Sequence, residues 1–353
     1  MWWLFGIGTG LSIVAVVWQA YARIRRERRQ FRTAITRSPI EITPFIVGGL
    51  MGSILLSIIS VSLALFLPTN TLVALGVISL LGLVVSRWHF SVLWLGLSVI
   101  PMLAAGTWQL AALLTAMWLL TALLLQIFHV RVASPMIKKT RRGKIIAQYS
   151  FAQFYWLPLI VPVPGHWFAA MSWWPTIGVG NTSFGLLFLP LVLGSAFVVR
   201  HQLPEPARKH HIHLLYGMSL AMLVLTGLSY GVTQIQPYTG WLVLALTVIG
   251  IGLDLLDMGK LNFTKTKAGV LLLAVVPDTP AAKMGLAMGE LVVTCNDIAV
   301  YDNATLYAAI QTSPTYCRLK VADLNGELRL TESAIFEGAP HELGMITFPE
   351  ETA

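Results

Sequence analysis

The stretch Gly269-Val-Leu-Leu-Leu-Ala-Val-Val-Pro-Asp-Thr-Pro-Ala-Ala-Lys-Met-Gly-Leu-Ala-Met-Gly-Glu290 divides the chain into two kinds of protein. Residues 269–276 form an aliphatic, β-branched run bounded by Gly and by Pro277-Asp278, the pattern of a buried strand. Pro280 stands at an early helical position, where a missing N–H costs nothing. Gly285 closes that short helix, and Gly289 turns the chain into a strand over 291–296. Asp302 is placed to cap a helix over 303–312, whose Leu306, Ala309 and Ile310 share one buried face. Segments 316–323 and 327–331 alternate around Asn325-Gly326, a hairpin signal. This is a soluble α+β module.

Everything upstream has another character. The 353 residues are 56% hydrophobic and only 11% charged, against roughly 25% charged in soluble domains. Residues 1–259 hold 17 Lys and Arg against 5 Asp and Glu, whereas residues 260–353 hold 7 against 11. A basic membrane half suits anionic lipid headgroups, and an acidic soluble half argues against nucleic acid as partner. Cys295 and Cys317 are the only cysteines, which excludes a disulfide framework and a thiolate zinc site.

A membrane helix needs about 20 apolar residues. Candidate spans are 2–22, 44–67, 71–86, 89–105, 108–128, 184–199, 214–233 and 238–257. Ala20-Tyr21-Ala22 matches a signal-peptidase box, but no basic residue precedes the apolar run and seven arginines follow it between Arg23 and Arg37. The first span is therefore read as retained, with its N-terminus outside. Basic loops at Arg23–Arg32, Arg131–Lys144, Arg200–Lys209 and Lys260–Lys267 mark the cytoplasmic side. Parity between the second and third loops requires one more crossing. It is assigned to a kinked ninth span over 149–177, broken by Pro158, Pro162, Pro164 and Pro175. A re-entrant segment there is the alternative, and would place the soluble module outside. The expected architecture is an all-α polytopic membrane domain over 1–259 with 8–9 spans, a cytoplasmic module over 262–348, and a tail over 349–353.

Val276-Pro-Asp-Thr-Pro-Ala-Ala-Lys-Met-Gly-Leu-Ala-Met-Gly-Glu-Leu291 resembles the core of bacterial PDZ domains. In that fold a peptide C-terminus adds as a strand beside a helix, and a loop of backbone N–H groups holds its carboxylate. The Φ-Gly-Φ loop that usually precedes the first strand is missing from Thr264-Lys-Thr-Lys-Ala268; Leu343-Gly344-Met345 supplies it near the chain's end. The resemblance implies a circularly permuted, PDZ-like module. Its peptide site would use the N–H groups of Leu343, Gly344 and Met345, with Leu306 and Ile310 completing an apolar pocket. A plain C-terminal strand with a glycine bend is the alternative reading.

The whole layout is similar to the MinJ family of cell-division topological determinants of Gram-positive bacteria. The likeness lies in the basic stretch Arg23-Ile-Arg-Arg-Glu-Arg-Arg-Gln-Phe31, the Pro-Asp-Thr-Pro-Ala-Ala core, and the segments Asn325-Gly-Glu-Leu-Arg329 and Glu337-Gly-Ala-Pro-His-Glu-Leu-Gly344. It implies a non-enzymatic adaptor at septum and poles, between a DivIVA-like scaffold and the MinC–MinD inhibitor with its MinD-like ATPase. On the membrane side, Arg23, Arg25, Arg26, Arg28 and Arg29 are expected to lie along the inner leaflet among anionic lipids.

Competing chemistry finds little support in the residues. His341-Glu342 is not followed by the second His of a zinc protease. Gly227-Leu-Ser-Tyr-Gly231 has the spacing of a nucleophile elbow but lies inside an apolar helix. The cluster His210, His211 and His213 reads as a solvated basic loop, and Asp254 and Asp257 as carboxylates that reach water near the end of the last span. No cofactor, metal or catalytic residue is expected. A PDZ-bearing membrane protease or its regulator, and a transporter-like protein, are the alternatives. With an even number of crossings between basic loops, a reporter active only outside the cell, fused after Ala353, is expected to stay silent; strong activity would overturn the orientation.

Overall fold

The computed structural model describes residues 2–36, 38–103, 108–128, 134–139, 145–164, 176–179, 182–199, 203–256, 269–313, 315–335 and 343–348. The expected tail at 349–353, the linker at 257–268 with Asp257 and its lysines, most of the second basic loop, and 336–342 lie outside them. Among the described residues, five helical segments are long and apolar enough to cross a membrane: Gly6–Phe31, Pro44–Ser62, Trp108–Ile127, Pro204–Gly231 and Gln236–Leu256. They belong to α1 (Trp2–Phe31), a π-helical turn (Pro44–Gly48) continued by α2 (Gly49–Ser62), α4 (Trp108–Ile127), α5 (Pro204–Gly231), and a short 3-10 turn (Gln236–Tyr238) continued by α6 (Thr239–Leu256). Two shorter apolar helices accompany them, α3 (Thr69–Val85) and a 3-10 helix (Val92–Met102).

The membrane half is not all-α. The segments expected as a kinked ninth helix and as the 184–199 helix are instead strands β3 (Ile145–Pro164) and β5 (Thr182–Val199), paired antiparallel along their length from Tyr149↔Val199 to Pro164↔Phe184. Strand β1 (His89–Ser91) joins the far edge of β5, β2 (Ser134–Lys139) joins β3, and β4 (Thr176–Val179) pairs the start of β5. The expected 89–105 span is thus β1 plus the 3-10 helix, which runs antiparallel to α6. His89 meets Asp254, Leu93 approaches Gly250, Gly96 faces Thr247, and a side chain on Gly240 would press on the Leu103 backbone. At ~2.0 Å per residue, 11 residues of 3-10 helix cover about the same length as a longer α-helix.

The prolines explain the difference. In an antiparallel strand alternate N–H groups point to the same edge. Ile160 N–H points away from β5, toward α2, where the Ser57 hydroxyl accepts it at 3.0 Å. Pro158, Pro162 and Pro164 occupy the same outward parity, so three donors that would lie unpaired among apolar helices do not exist. Three further edge groups find serines. The Ser53 hydroxyl donates to the Pro158 carbonyl, and the Ser79 hydroxyl on α3 both accepts from Val192 N–H and donates to its carbonyl. Apolar surroundings tolerate irregular backbone only when such partners exist. Gly48, Gly49 and Gly52 let α2 come close enough, since a Cβ on Gly49 would overlap the Trp156 carbonyl.

Side chains of β3 then alternate between two packed faces. Tyr149, Phe151, Tyr155, Leu157, Leu159, Val161 and Val163 enter the main core with α2, α4 and α5. Phe154 and Trp156 face the opposite way, toward Val16 of α1, Leu83 and Phe90. The long strand is a wall between two helix layers.

The C-terminal α+β module forms as its sequence suggests. The expected first strand is two short pieces, β6 (Val270–Leu271) and β7 (Ala274–Val275), followed by α7 (Pro280–Lys283). A sheet in the order β11 (Leu328–Ala334), β10 (Tyr316–Ala322), β8 (Leu291–Cys295) and β6 carries β9 (Ile298–Ala299) on β8. Helix α8 (Asn303–Gln311) opens with a capping box, Asp302 accepting from Thr305 N–H at 2.8 Å. Strand β12 (Met345–Ile346) returns to pair β7 antiparallel. Gly285, Gly289 and Gly326 all have positive φ at the turns where the sequence places them. Ser57→Ala should destabilise the fold by about 1–3 kcal/mol, the cost of orphaning a buried donor, measured as a lower thermal midpoint in detergent. In an Ile160→Pro background, which deletes that donor, the same change should cost far less.

Candidate functional site

The five residues assigned to a peptide site do meet in one place. Leu343 and Gly344 have φ of +53° and +90°, a left-handed pair that reverses the chain into β12. Gly344 is needed there twice over, because a Cβ would also overlap the Thr279 side chain, whose hydroxyl donates to the Val276 carbonyl at 2.7 Å. Val276 N–H in turn donates to the Gly344 carbonyl at 2.9 Å, and Ala281 N–H to that of Leu343 at 3.0 Å. Leu306, Ile310, Leu343 and Met345 are all buried in the module's own core, with Cys295, Cys317 and Leu319. Beyond Met345 the chain runs past the start of α8, where the Thr347 hydroxyl donates to the Asn303 side-chain oxygen at 3.0 Å. The two thiols are free and buried with sulfurs 3.7 Å apart. That thiol contact and burial push the Cys295 pKa up.

The basic stretch of α1 divides by helical position. Arg25, Arg28 and Arg29 are exposed. Arg23 is buried, bonded to Glu41 at 2.6 Å and to Glu27 at 3.1 Å, while Glu27 also accepts Ile35 N–H. Arg26 reaches the hydroxyls of Ser134 and Ser150 on β2 and β3, each at 3.0 Å. Arg26 therefore fastens α1 to the sheet, Arg23 ties it to the segment around Glu41, and the other three are exposed.

A third constellation was not legible in the sequence. His210, His211 and His213 lie on α5 rather than in a loop, and His211 is buried. Its Nδ1 is 2.7 Å from Asp254 Oδ1 on α6, and its Nε2 is 2.7 Å from Ser195 Oγ on β5. His89 Nε2 on β1 lies 3.0 Å from the other Asp254 oxygen. Asp254 is buried rather than solvated, with α5 and β1 on it directly and β5 joined through His211. The order Ser195–His211–Asp254 has the spacing of a nucleophile, base and orienting carboxylate. Ser195 is fully buried within β5, and the arrangement ties that strand to α5 and α6. His211 and Asp254 are 43 residues apart, and only the β5–α5–α6 packing joins them.

Fold and sites together define a multi-pass membrane protein bearing a C-terminal α+β module, with no cluster able to hold a metal among the described residues. No protein-family model matches the chain. It is 36% identical over 360 residues to the probable cell division topological determinant MinJ of Lacticaseibacillus paracasei, covering 99% of this chain and 97% of that relative. It is 29% identical over 353 residues to the cell division topological determinant MinJ of Bacillus subtilis (strain 168), covering 92% and 88%. The chain belongs to the MinJ family. Asp254→Ala should cost about 3–5 kcal/mol, as breaking a buried charged cluster does, and Ser195→Ala about 1 kcal/mol for one neutral hydrogen bond. Thermal midpoints of the two variants check this; equal losses would mean that Asp254 is not the hub.

Proposed function

We propose that this chain is a non-enzymatic membrane adaptor that positions division regulators, acting through a PDZ-like C-terminal module on the cytoplasmic side. Near full-length similarity to relatives named as cell division topological determinants carries the reading. In this proposal the module is a permuted PDZ domain whose last strand, 345–348, would receive a partner's C-terminus. The left-handed turn at Leu343-Gly344 supports it, because it reverses the chain directly ahead of the strand. Strand β12 pairs β7 along one edge, and a peptide strand would add along the other.

Partners in this reading are a DivIVA-like polar and septal scaffold and a MinD-like ATPase, which place the protein at septum and poles. Exposed Arg25, Arg28 and Arg29 would contribute on the order of 1 kcal/mol each of attraction to anionic headgroups, fading as salt rises. Gly344→Val is a poor probe of the groove alone, because the side chain would strain φ and strike Thr279. Removing residues 269–348 tests the adaptor directly. Fluorescent MinD-like ATPase should leave the septum and poles while the membrane half stays inserted; unchanged placement would sink the proposal.

A further inference from the structure

Strand β11 ends the module's larger sheet, with β10 on one side and, among the described residues, no strand on the other. Asp323 N–H donates to the Glu327 carbonyl and Ile335 N–H to the Thr315 carbonyl, so these two pairs are hydrogen-bonded. In an antiparallel ladder every second pair between them is hydrogen-bonded too. That turns the N–H and C=O groups of Arg329, Thr331 and Ser333 toward β10. Those of Leu328, Leu330 and Glu332 point to the open edge, where no backbone bond meets them among the described residues.

The same three residues carry exposed side chains, the two leucines at 55% and 59% exposure. Natural sheets blunt such an edge with lysines, a proline, a bulge or a covering element. Strand β11 has neither lysine nor proline, and pairs β10 without a bulge. The chain after α7 lies on its other face, where Arg329 and Thr331 donate to the Met284 carbonyl.

This edge is complementary to itself. An added antiparallel strand must match its own open-edge residues to these. In one register Leu328 stands opposite Leu330 of a second copy, and Leu330 opposite that copy's Leu328. The two pairs form four backbone bonds and bring four leucines together on one face. Glu332 falls opposite Gly326, so like charges do not meet there. On the other face the two Arg329 side chains approach, but each is already held by its own Glu290, 2.9 Å from both carboxylate oxygens.

The module's seat sets the direction of this contact. Leu271 pairs Leu291, Leu291 pairs Ala322 and Ala322 pairs Leu328, so Leu271 shares a sheet face with the exposed leucines. At Leu271 that face packs on the cluster around Ala147 of the membrane half. The face is thus turned toward the membrane half, and the β11 edge looks sideways. The two-fold axis between antiparallel edge strands stands perpendicular to their sheet, so it runs from module to membrane. Both copies then insert the same way up.

We propose that this chain forms a two-fold dimer within the membrane plane, its β11 edges joined antiparallel with Leu328 opposite Leu330. The interface is isologous and stands whether or not strand 345–348 receives a peptide. An adaptor paired in this way presents two modules on one continuous sheet, which raises avidity for any repeated partner.

The test uses the full chain in liposomes. One tagged copy carries Leu328→Cys and a differently tagged copy Leu330→Cys; the native Cys295 and Cys317 are buried. Residues opposed in a hydrogen-bonded pair lie about 5.5 Å apart at Cα, within disulfide reach. Two copies of position 328 are diagonal neighbours, at about 7–8 Å. Mild oxidation should therefore crosslink the mixed pair about fivefold more than either variant alone. Dimers are counted separately by photobleaching of singly labelled copies. Leu330→Pro deletes an edge donor that β10 does not use, as edge strands allow, and should weaken association about tenfold, two hydrogen bonds per dimer. If that change also speeds hydrogen exchange in β8 and β10, Leu330→Lys replaces it with the same expectation. Equal crosslinking of mixed and single-variant samples, or association that neither substitution weakens, overturns the dimer. In the membranes of the producing cells, crosslinks from Leu330→Cys to other proteins but not to its own copy would overturn it too, and give the edge to a different partner.

Discussion

An extended strand among apolar helices must find a partner for every backbone N–H and carbonyl it carries. The β3–β5 ribbon meets that demand in three ways. Most groups pair within the ribbon, prolines delete donors on the outward edge of β3, and serines on α2 and α3 partner Pro158, Ile160 and Val192. Much of the membrane half follows from this arrangement. The small residues of α2 are small because β3 passes against them, and Gly82 of α3 makes room for Phe90 beside β5. The ribbon also sets where helices can stand, since its two faces feed separate cores.

At the end of the ribbon shared with the α+β module the same strands become a tie and a platform. Ser195 of β5 and His89 of β1 bring their polar atoms to His211 and Asp254, so one carboxylate joins two helices to two strands. A carboxylate in such surroundings is expensive unless paired, and here both of its oxygens face an imidazole. Beyond that level β3 continues with β2 on one side and α1 fastened across it by Arg26. The module rests on this extension through Ala147 and Tyr149. A single strand therefore runs from the interior of the helix layers to the seat of the module.

That continuity couples the module to the membrane half. A module on a flexible tether behaves independently of the membrane half. Here the last strand of the module shares a cluster with β3, and its other face fills the module's own core.

The sequence alone determined the α+β module nearly element by element. Its signals are local: Pro280 at a helix start, Asp302 as a cap, Gly285, Gly289 and Gly326 at turns, and alternation around Asn325-Gly326. It also determined the family, the membrane character and the positions of all nine apolar segments, five of which are long helices. It could not tell helix from strand at 145–164 and 182–199. A continuous apolar run has no period to read, and proline is as foreign to a helix interior as to a central strand. What makes proline acceptable at 158, 162 and 164 is an edge facing α2, and that edge exists only once α2 has packed. The same holds for the sites. Leu306, Ile310, Leu343 and Met345 were legible as apolar and clustered, but whether they line a groove or fill a core depends on how far α8 stands from the last strand. Arg23 and Arg26 look like their exposed neighbours until Glu41 and Ser150 arrive from elsewhere in the chain. His211 and Asp254 looked solvated for the same reason: only tertiary packing decides which side chains lose water, because burial is a property of what surrounds a residue and not of the residue itself.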